Sequence, residues 1–328
     1  MARFVTRRNK PCFAPSAPCP HKDISCHGAV VSRFSMEMQQ TIERPAMCAG
    51  VGVHSGEKAR LVLKPAPVGT GVVFRRTDLG LKNASILAHA ANVSDTQMNT
   101  TLSNDAGISV AVVEHLMAAV SGLGIDNLLV EIDGPEVPIM DGSSAVYCEL
   151  LLQAGLKQQA VPRRRIRILE TIEVVDGPKR ATLSPSEDNH LTMRARIEYD
   201  NNVIGVQQMA LRLAPGMFAR DLAFARTYGF ARDVEMLRSM GLARGGSLDN
   251  VVVIDEDDAI MNPEGLRIED EFVRHKMLDA VGDLMLAGAP IAGAYDAVQP
   301  GHALNNMLVR KLLESPEAWC WESDADTD

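Results

Sequence analysis

Residues 271–283 read EFVRHKMLDAVGD and hold a histidine and two aspartates at a spacing that suits metal chemistry. His275, Asp279 and Asp283 follow one another at intervals of four residues. At about 100° per residue, successive members lie about 40° apart around a helix, so all three project from nearly one face. A histidine and a carboxylate at i and i+4 can grip one Zn²⁺, as helices of the HExxH type do.

The spacing alone is weak evidence, because HxxxD also occurs on solvated helix faces. Apolar side chains cover most of the remaining helical wheel, namely Phe272, Met277, Leu278, Val281 and Leu284. Polar groups on a helix of this kind are expected to face something other than water.

A second helical pattern, VAVVEHLMAAVSGLG, carries His115 with Glu114 beside it. A lone histidine in an apolar helix is most often a core residue with a hydrogen-bond partner. The adjacent acid favours chemistry, because an acid next to a ligand serves as the base in zinc peptidases. Gly122 to Gly124 are expected to end this helix.

His115, His275 and Asp279 would leave a fourth position of one Zn²⁺ open for water, as catalytic zinc sites do. Zinc lowers the pKa of such a water towards neutrality and polarises a carbonyl. Glu114 could then accept the proton. These residues together predict a hydrolytic site.

Hydrolysis of an amide also needs an acid to protonate the departing nitrogen. The candidate is His302, in PGHALNN, with Asp283 to orient it or keep it protonated. The alternative is that His302 caps a helix or is simply exposed.

The elements that must position these residues occur twice along the chain. Short apolar segments bounded by Gly or Pro (VGVH, ARLVLKP, GVVFRR) predict strands, followed by the His115 helix, the strand NLLVEI and the helix AVYCELLLQAG. After AVPRRR, near 160–165 and expected to be a linker, RIRILETIEVV, RATLSP and HLTMRARIEY predict strands before the His275 helix, the strand IAGAYDAV and the helix ALNNMLVRKLL. This order predicts a duplicated α+β unit whose two histidine-bearing helices face each other across a shared site.

The composition limits the class of protein. A chain of 328 residues fits two domains of ordinary size. No run approaches about 18 apolar residues, which excludes a membrane span. A formal charge of −9 without a basic stripe interleaved with aromatics excludes nucleic-acid binding. Six scattered cysteines imply no disulfide framework and favour a reducing compartment.

The first residues differ from the rest, since 1–35 hold six basic residues against one acid. The segment has no apolar core and is a poor secretory signal. A transit peptide and a true start at Met36 or Met38 remain open; we favour the second and expect a disordered or non-native leader over 1–37. Four residues of CPHKDISCH match none of the zinc spacings, namely Cys19, His21, Cys26 and His27.

Six motifs, in this order and spacing, resemble one family: VGVHSG, AVVEHLMAAVSGLGIDN, PIMDGSSA, ARTYGF, DEFVRHKMLDAVGDL and GHALNN. From about residue 40 to 320 the chain resembles the UDP-3-O-acyl-N-acetylglucosamine deacetylases, zinc enzymes of lipid A synthesis. The resemblance implies two pseudo-symmetric domains, each a sheet layer with two packed helices, and an active site between them. It implies hydrolysis of the N-acetyl group to a free amine and acetate.

By this resemblance His115, His275 and Asp279 are the ligands of one catalytic Zn²⁺, and Fe²⁺ can occupy the same ligands. The implied catalytic residues are the base Glu114, the acid His302, its partner Asp283, the oxyanion-stabilising Thr227 and Lys276. Lys276 also faces the substrate by the same resemblance, although helix solvation would equally explain its position.

The resemblance implies substrate contacts as well. Lys179, in DGPKR, would contact the nucleotide end, and Tyr228, where Phe is common in the family, would pack against the sugar ring. The segment 229–246 with Val234 would form a hydrophobic passage for the acyl chain; otherwise its apolar residues would be ordinary core. Asn99 stands where some relatives carry a cysteine near the metal.

The predicted organisation is domain I over 38–160, domain II over 161–314 with an acyl-chain element at about 229–250, and an acidic tail over 315–328. We predict a cytoplasmic monomer whose partner is an amphipathic UDP-sugar lipid. Two alternatives stay open: a zinc deacetylase of another N-acylated sugar, and an inert UDP-lipid-binding homologue.

Overall fold

A computed structural model describes residues 37–323. The predicted leader up to residue 36, with its cysteines and histidines, and residues 324–328 lie outside the described part. No helix within 37–323 combines the length and apolar character needed to cross a bilayer.

The first half of the described chain folds into strands followed by two helices. Its elements are β1 (Met38–Ile42), β2 (Ala46–Val51), β3 (Lys58–Pro65), β4 (Val72–Arg76), β5 (Ser85–Leu87), β6 (Val93–Asp95), β7 (Thr101–Ser103), β8 (Ser109–Val110), α1 (Glu114–Gly122), β9 (Leu128–Ile132), α2 (Ala145–Ala154) and β10 (Leu156–Pro162).

The second half continues in the same manner, with an insertion. Its elements are β11 (Arg164–Ile168), β12 (Ile172–Asp176), β13 (Lys179–Ser184), β14 (Leu191–Glu198), β15 (Val206–Arg212), α3 (Met217–Asp221), β16 (Tyr228–Phe230), α4 (Val234–Ser239), β17 (Val252–Ile254), α5 (Glu271–Met285), β18 (Ile291–Val298), α6 (His302–Glu314) and β19 (Trp319–Ser323).

The two halves share one sheet topology. In the first, β2-β3-β9-β4-β5 pair in the senses antiparallel, antiparallel, parallel and antiparallel. In the second, β12-β13-β18-β14-β15 pair in the same senses. One helix precedes each central strand, α1 before β9 and α5 before β18, and another follows it. The predicted duplicated α+β fold is confirmed.

Alternating side chains explain why these strands cover a core on one face. In β3 the buried residues are Ala59, Leu61 and Leu63, while the residues between them point outward. The equivalent pattern in β14 buries every second residue from Leu191 to Ile197. A period of two is what a sheet with one covered face requires.

The predicted linker near 160–165 is wrong. Residues 156–162 form β10, which pairs with β1, and residues 164–168 form β11. Pro162 is tolerated because it lies at the end of a strand in a two-stranded sheet. Two basic residues of the segment are paired: Arg163 Nε lies 2.8 Å from Asp126 Oδ1 and Arg165 Nη2 lies 3.7 Å from Glu37 Oε2.

The segment predicted as an acidic tail also belongs partly to the fold. Trp319–Ser323 form β19, which runs antiparallel to β11. Most of the acidic residues of this segment lie beyond the strand. Glu322, within the strand, is paired with Arg167.

Candidate active site

Helices α1 and α5 pack closely because of Gly282. A Cβ atom on Gly282 would lie 2.1 Å from the carbonyl oxygen of Glu114 and 3.1 Å from the amide nitrogen of Ala118. Only a residue without a side chain fits between these backbones. The two helices predicted to face each other therefore do so at the residues that carry the candidate chemistry.

Helix α1 begins later than its apolar pattern predicts. Residues 109–110 form β8, and Val112 has a left-handed φ of 58° that a helix cannot contain. Glu114 and His115 consequently occupy the first turn of α1 and are both buried. A carboxylate in a first helical turn is favoured by the helix dipole.

His115, His275 and Asp279 come together at the centre of this contact. Asp279 Oδ1 lies 3.4 Å from His115 Nε2 and 3.4 Å from His275 Nε2, and one candidate ligand atom from each residue lies within 4.8 Å of the others. All three residues are at most 4% exposed. Asp279 Oδ1 is buried, and within residues 37–323 it has no hydrogen-bond partner.

The protonation of these groups also suits a metal. Burial lowers the pKa of His275 to about 3, so its ring is neutral at physiological pH. Its Nδ1 lies 3.1 Å from the carbonyl oxygen of Ala225 and must be the protonated nitrogen, which leaves the Nε2 lone pair towards Asp279. Burial opposes ionisation of Asp279, but the surrounding groups, among them the Lys276 ammonium and the His115 ring, outweigh it and hold its pKa well below the usual range. An unpartnered buried carboxylate oxygen beside two imidazole nitrogens is a donor set that fits Zn²⁺.

Glu114 lies next to this cluster and is held by Thr100. The backbone N–H of Thr100 donates to Glu114 Oε2 at 2.9 Å, and Glu114 Oε1 is 3.9 Å from His302 Nε2. Burial raises the pKa of the Glu114 carboxyl, partly offset by His302 and His115. A raised pKa makes this carboxylate a better proton acceptor.

His302, at the start of α6, is hydrogen-bonded to Asp283. Its Nδ1 donates to Asp283 Oδ2 at 3.0 Å, and Asn305 Nδ2 donates to the same oxygen at 2.9 Å. Thr100 Oγ1 donates to Asp283 Oδ1 at 2.6 Å. Burial alone would lower the pKa of His302, but Asp283 and Glu114 raise it to about 9. The ring is therefore a protonated acid whose Nε2 is directed towards Glu114.

Lys276 and Tyr228 line the other side of the cluster. Lys276 Nζ lies 3.2 Å from Asp279 Oδ2 and 5.5 Å from the centre of the Tyr228 ring. The Tyr228 hydroxyl is 3.0 Å from that of Tyr199, and its ring stands edge-on to His275 at 6.1 Å. Burial lowers the pKa of Lys276, but Asp279 and the other nearby groups outweigh this and raise it, so the ammonium is retained.

Three predicted site residues, Thr227, Val234 and Lys179, are not among the side chains of the cluster described above. The Thr227 backbone is fixed by hydrogen bonds to Gly142 and Val252, each at 2.8 Å, two residues after Ala225, whose carbonyl contacts His275. Val234 begins α4, between β16 and β17. Lys179 is exposed at the start of β13 and makes none of the contacts that join the cluster.

Two residues of the cluster were not predicted. Thr100 contacts both Glu114 and Asp283 although it lies 183 residues from Asp283 in sequence. Asn305 follows His302 by one helical turn, so the GHALNN motif offered a signal for it. Asn99 is buried and uses its side chain in the same loop, where its Oδ1 accepts a hydrogen bond from Thr101 Oγ1 at 2.7 Å.

Comparison with known proteins gives one consistent answer. The family model described as LpxC, UDP-3-O-acyl N-acetylglycosamine deacetylase, matches residues 39–314. A UDP-3-O-acyl-N-acetylglucosamine deacetylase from Phenylobacterium zucineum (strain HLK1) is 50% identical over 281 residues, 86% of this chain and 95% of the relative. Proteins of the same name from Myxococcus xanthus (strain DK1622) and Shewanella frigidimarina (strain NCIMB 400) are 50% identical over 290 residues and 47% identical over 284. These alignments cover 88% and 87% of this chain, and 90% and 92% of the relatives.

Proposed function

Because the chain belongs to the UDP-3-O-acyl N-acetylglycosamine deacetylase family, it hydrolyses the N-acetyl group of a UDP-3-O-acyl-N-acetylglucosamine, and we propose that it does so at one Zn²⁺ held by His115, His275 and Asp279. The products are acetate and the free amine, and the reaction belongs to lipid A biosynthesis. The observation that carries the metal assignment is the buried, unpartnered Asp279 Oδ1 between two imidazole nitrogens.

A zinc ion at these ligands would polarise the acetyl carbonyl and lower the pKa of a water molecule. Fe²⁺ accepts the same imidazole and carboxylate ligands. Elemental analysis of the purified protein, together with loss of activity on chelation and its return with each added metal, distinguishes the two ions.

The side chains around the ligands divide the proton transfers. Glu114 accepts a proton from the attacking water. Its carboxylate is buried, and Oε2 already accepts the Thr100 N–H, so Oε1 is the oxygen that takes the proton. Thr227 and Lys276 stabilise the negative charge that develops on the acetyl oxygen. His302, protonated and oriented by Asp283, gives its proton to the departing nitrogen. Glu114 takes up one proton and His302 gives up one, so the two side chains together hold the same number of protons before and after the hydrolysis.

Replacing Asp283 by Asn is expected to move the alkaline limb of the pH profile to lower pH. His302 must be protonated to act as the acid, so activity falls as the pH rises through its pKa, which Asp283 helps to raise to about 9. The substitution removes this anion and lowers the pKa of His302, so the falling limb of kcat/KM against pH should shift to lower pH. Thr100→Ser, which keeps the hydrogen bond to Asp283, should leave the limb in place. An unshifted limb in Asp283→Asn would argue against His302 as the acid.

We propose that α4 contacts the acyl chain and that Lys179 contacts the nucleotide end. None of the residues of α4 is buried; Met236 within it is 56% exposed, and Met240, the residue that follows it, is 51% exposed. Exposed apolar side chains on and beside this short helix are available to contact an acyl chain. The helix lies between β16, which carries Tyr228, and β17.

Val234→Asp is expected to lower kcat/KM for the 3-O-acylated substrate by about tenfold, the usual effect of spoiling one apolar contact. The rate with a UDP-N-acetylglucosamine lacking the acyl chain should be low and unchanged by the substitution, which makes this compound the internal control. Equal rates with the two substrates in the unmodified protein would reject the acyl-chain assignment and favour a deacetylase of another N-acylated sugar.

We propose further that the protein acts in the cytoplasm as a monomer. Cys48 and Cys148 are free thiols whose pKa burial raises to about 11 and about 12, which suits a reducing compartment. All the proposed ligands come from one chain, so the site needs no second copy. Sedimentation of the purified protein tests the oligomeric state.

A further inference from the structure

A further buried carboxylate, Glu271, lies one helical turn before His275 on α5. It is 0% exposed and accepts four hydrogen bonds. Three come from Arg226, whose N, Nε and Nη2 lie 3.0, 2.9 and 3.1 Å from its oxygens, and the fourth from the backbone N–H of Arg267 at 2.7 Å. These donors compensate the cost of burying the charge and fix the carboxylate in one orientation.

One of these bonds connects Glu271 to His275 through a single peptide group. The backbone N–H of Arg226, which donates to Glu271 Oε1, and the carbonyl of Ala225, which accepts from His275 Nδ1, belong to the same peptide unit. Because a peptide is planar, fixing its N–H also fixes the direction of its carbonyl oxygen. A carboxylate that accepts from the N–H also polarises the peptide and makes its carbonyl a stronger acceptor.

We propose that Glu271 is a positioning residue that sets the tautomer and ring orientation of His275 through the Ala225–Arg226 peptide. The carbonyl accepts only from a protonated Nδ1, so the Nε2 lone pair is left for the metal. Metal-binding histidines commonly donate their second nitrogen to a carboxylate or a carbonyl, and here the two are arranged in series. This inference rests on the proposed metal site.

Arg226 has a second acidic partner that provides a matched control. Its Nη1 lies 2.6 Å from Glu264 Oε1, and the Glu264 side chain is 55% exposed. Glu264 therefore shares the guanidinium with Glu271 but makes no bond to the peptide that leads to His275. Glu264→Gln removes a charge from the same arginine without disturbing the connection.

The first measurement uses the unmodified protein without metal. The ¹⁵N shifts of the His275 ring should identify the tautomer protonated on Nδ1; finding the proton on Nε2 would overturn the proposal. This measurement does not depend on metal binding. It therefore remains informative if the protein proves to bind no zinc at this site, a result that would instead reject the proposed metal centre.

Glu271→Leu, which removes both acceptor oxygens, is expected to weaken zinc binding by about 10- to 100-fold in competition with a chelating dye, the usual effect of losing such a partner. The His275 ring should also show a mixture of tautomers. Glu264→Gln should change neither quantity. Equal losses of affinity in both variants would overturn the proposal, because the effect would then belong to Arg226 in general.

Removing one member of a buried ion pair can prevent folding, so the double variant Arg226→Met with Glu271→Leu is measured in parallel. It leaves no unpaired buried charge. A folded double variant with reduced zinc affinity and mixed His275 tautomers supports the proposal. Unchanged affinity and a single Nδ1 tautomer in that variant would mean that the pair stabilises the fold only.

Discussion

Glu114→Gln is expected to lower kcat by about 10²- to 10⁴-fold, the range typical of removing a general base. The amide has nearly the same shape, and its oxygen can still accept the Thr100 N–H that now binds Glu114 Oε2 at 2.9 Å. It cannot accept the proton of an attacking water. The zinc content should be unchanged, because Glu114 is not among the three proposed ligands. Steady-state kinetics and metal analysis of the same preparation measure both.

Glu136→Gln is the matched control for this variant. Glu136 is also a buried glutamate that accepts backbone hydrogen bonds, from His54 at 2.8 Å and Ser55 at 2.7 Å. The Glu136→Gln substitution is expected to cause a much smaller loss of turnover, since Glu136 is not placed beside the proposed ligands. Undiminished turnover in Glu114→Gln, or an equal loss in both variants, would refute the assignment of Glu114 as the base.

Gly282→Ala is expected to damage both stability and catalysis. The added methyl group would meet the Glu114 carbonyl oxygen at 2.1 Å, and backbone atoms cannot move aside as a flexible side chain can. Forcing an extra carbon into a packed interior costs about 1–3 kcal/mol of unfolding free energy. Separating α1 from α5 also moves His115 away from His275, and a displacement of about 1 Å in such a site can cost about 10²-fold in rate.

Urea denaturation and kcat/KM measure the two effects. Gly246→Ala serves as the control for stability, because its added Cβ would meet ordinary van der Waals contacts of 3.5 Å or more. A Gly282→Ala variant with unchanged stability and activity would show that the helices tolerate a wider separation than their contact suggests.

The sequence predicted the part of the site that follows helical periodicity. His275, Asp279 and Asp283 recur every fourth residue, and a helix converts that spacing directly into one face. His115 could be added because the chain repeats its order of strands and helices. Each of these inferences needs only local geometry or repetition, which a sequence displays.

Contacts between distant segments were missed because no local pattern encodes them. Thr100 is joined to Asp283 across 183 residues, and Arg226 to Glu271 across 45. The error at 160–165 has the same cause, since a run of arginines resembles a solvated linker unless its acidic partners are known. Arg163 pairs with Asp126 at a separation of 37 residues.

The strand pairs at the ends of each half bear on the order of events in folding. β1 pairs with β10, and β11 pairs with β19, so each half of the chain closes a loop with its own first and last strands. Neither closure requires a strand from the other half, and either half can therefore gain its long-range pairing before the two meet. The proposed metal ligands come from both halves, His115 from the first and His275 and Asp279 from the second. Metal uptake should accordingly be a late step, and bound metal a reporter of molecules in which both halves have folded and joined.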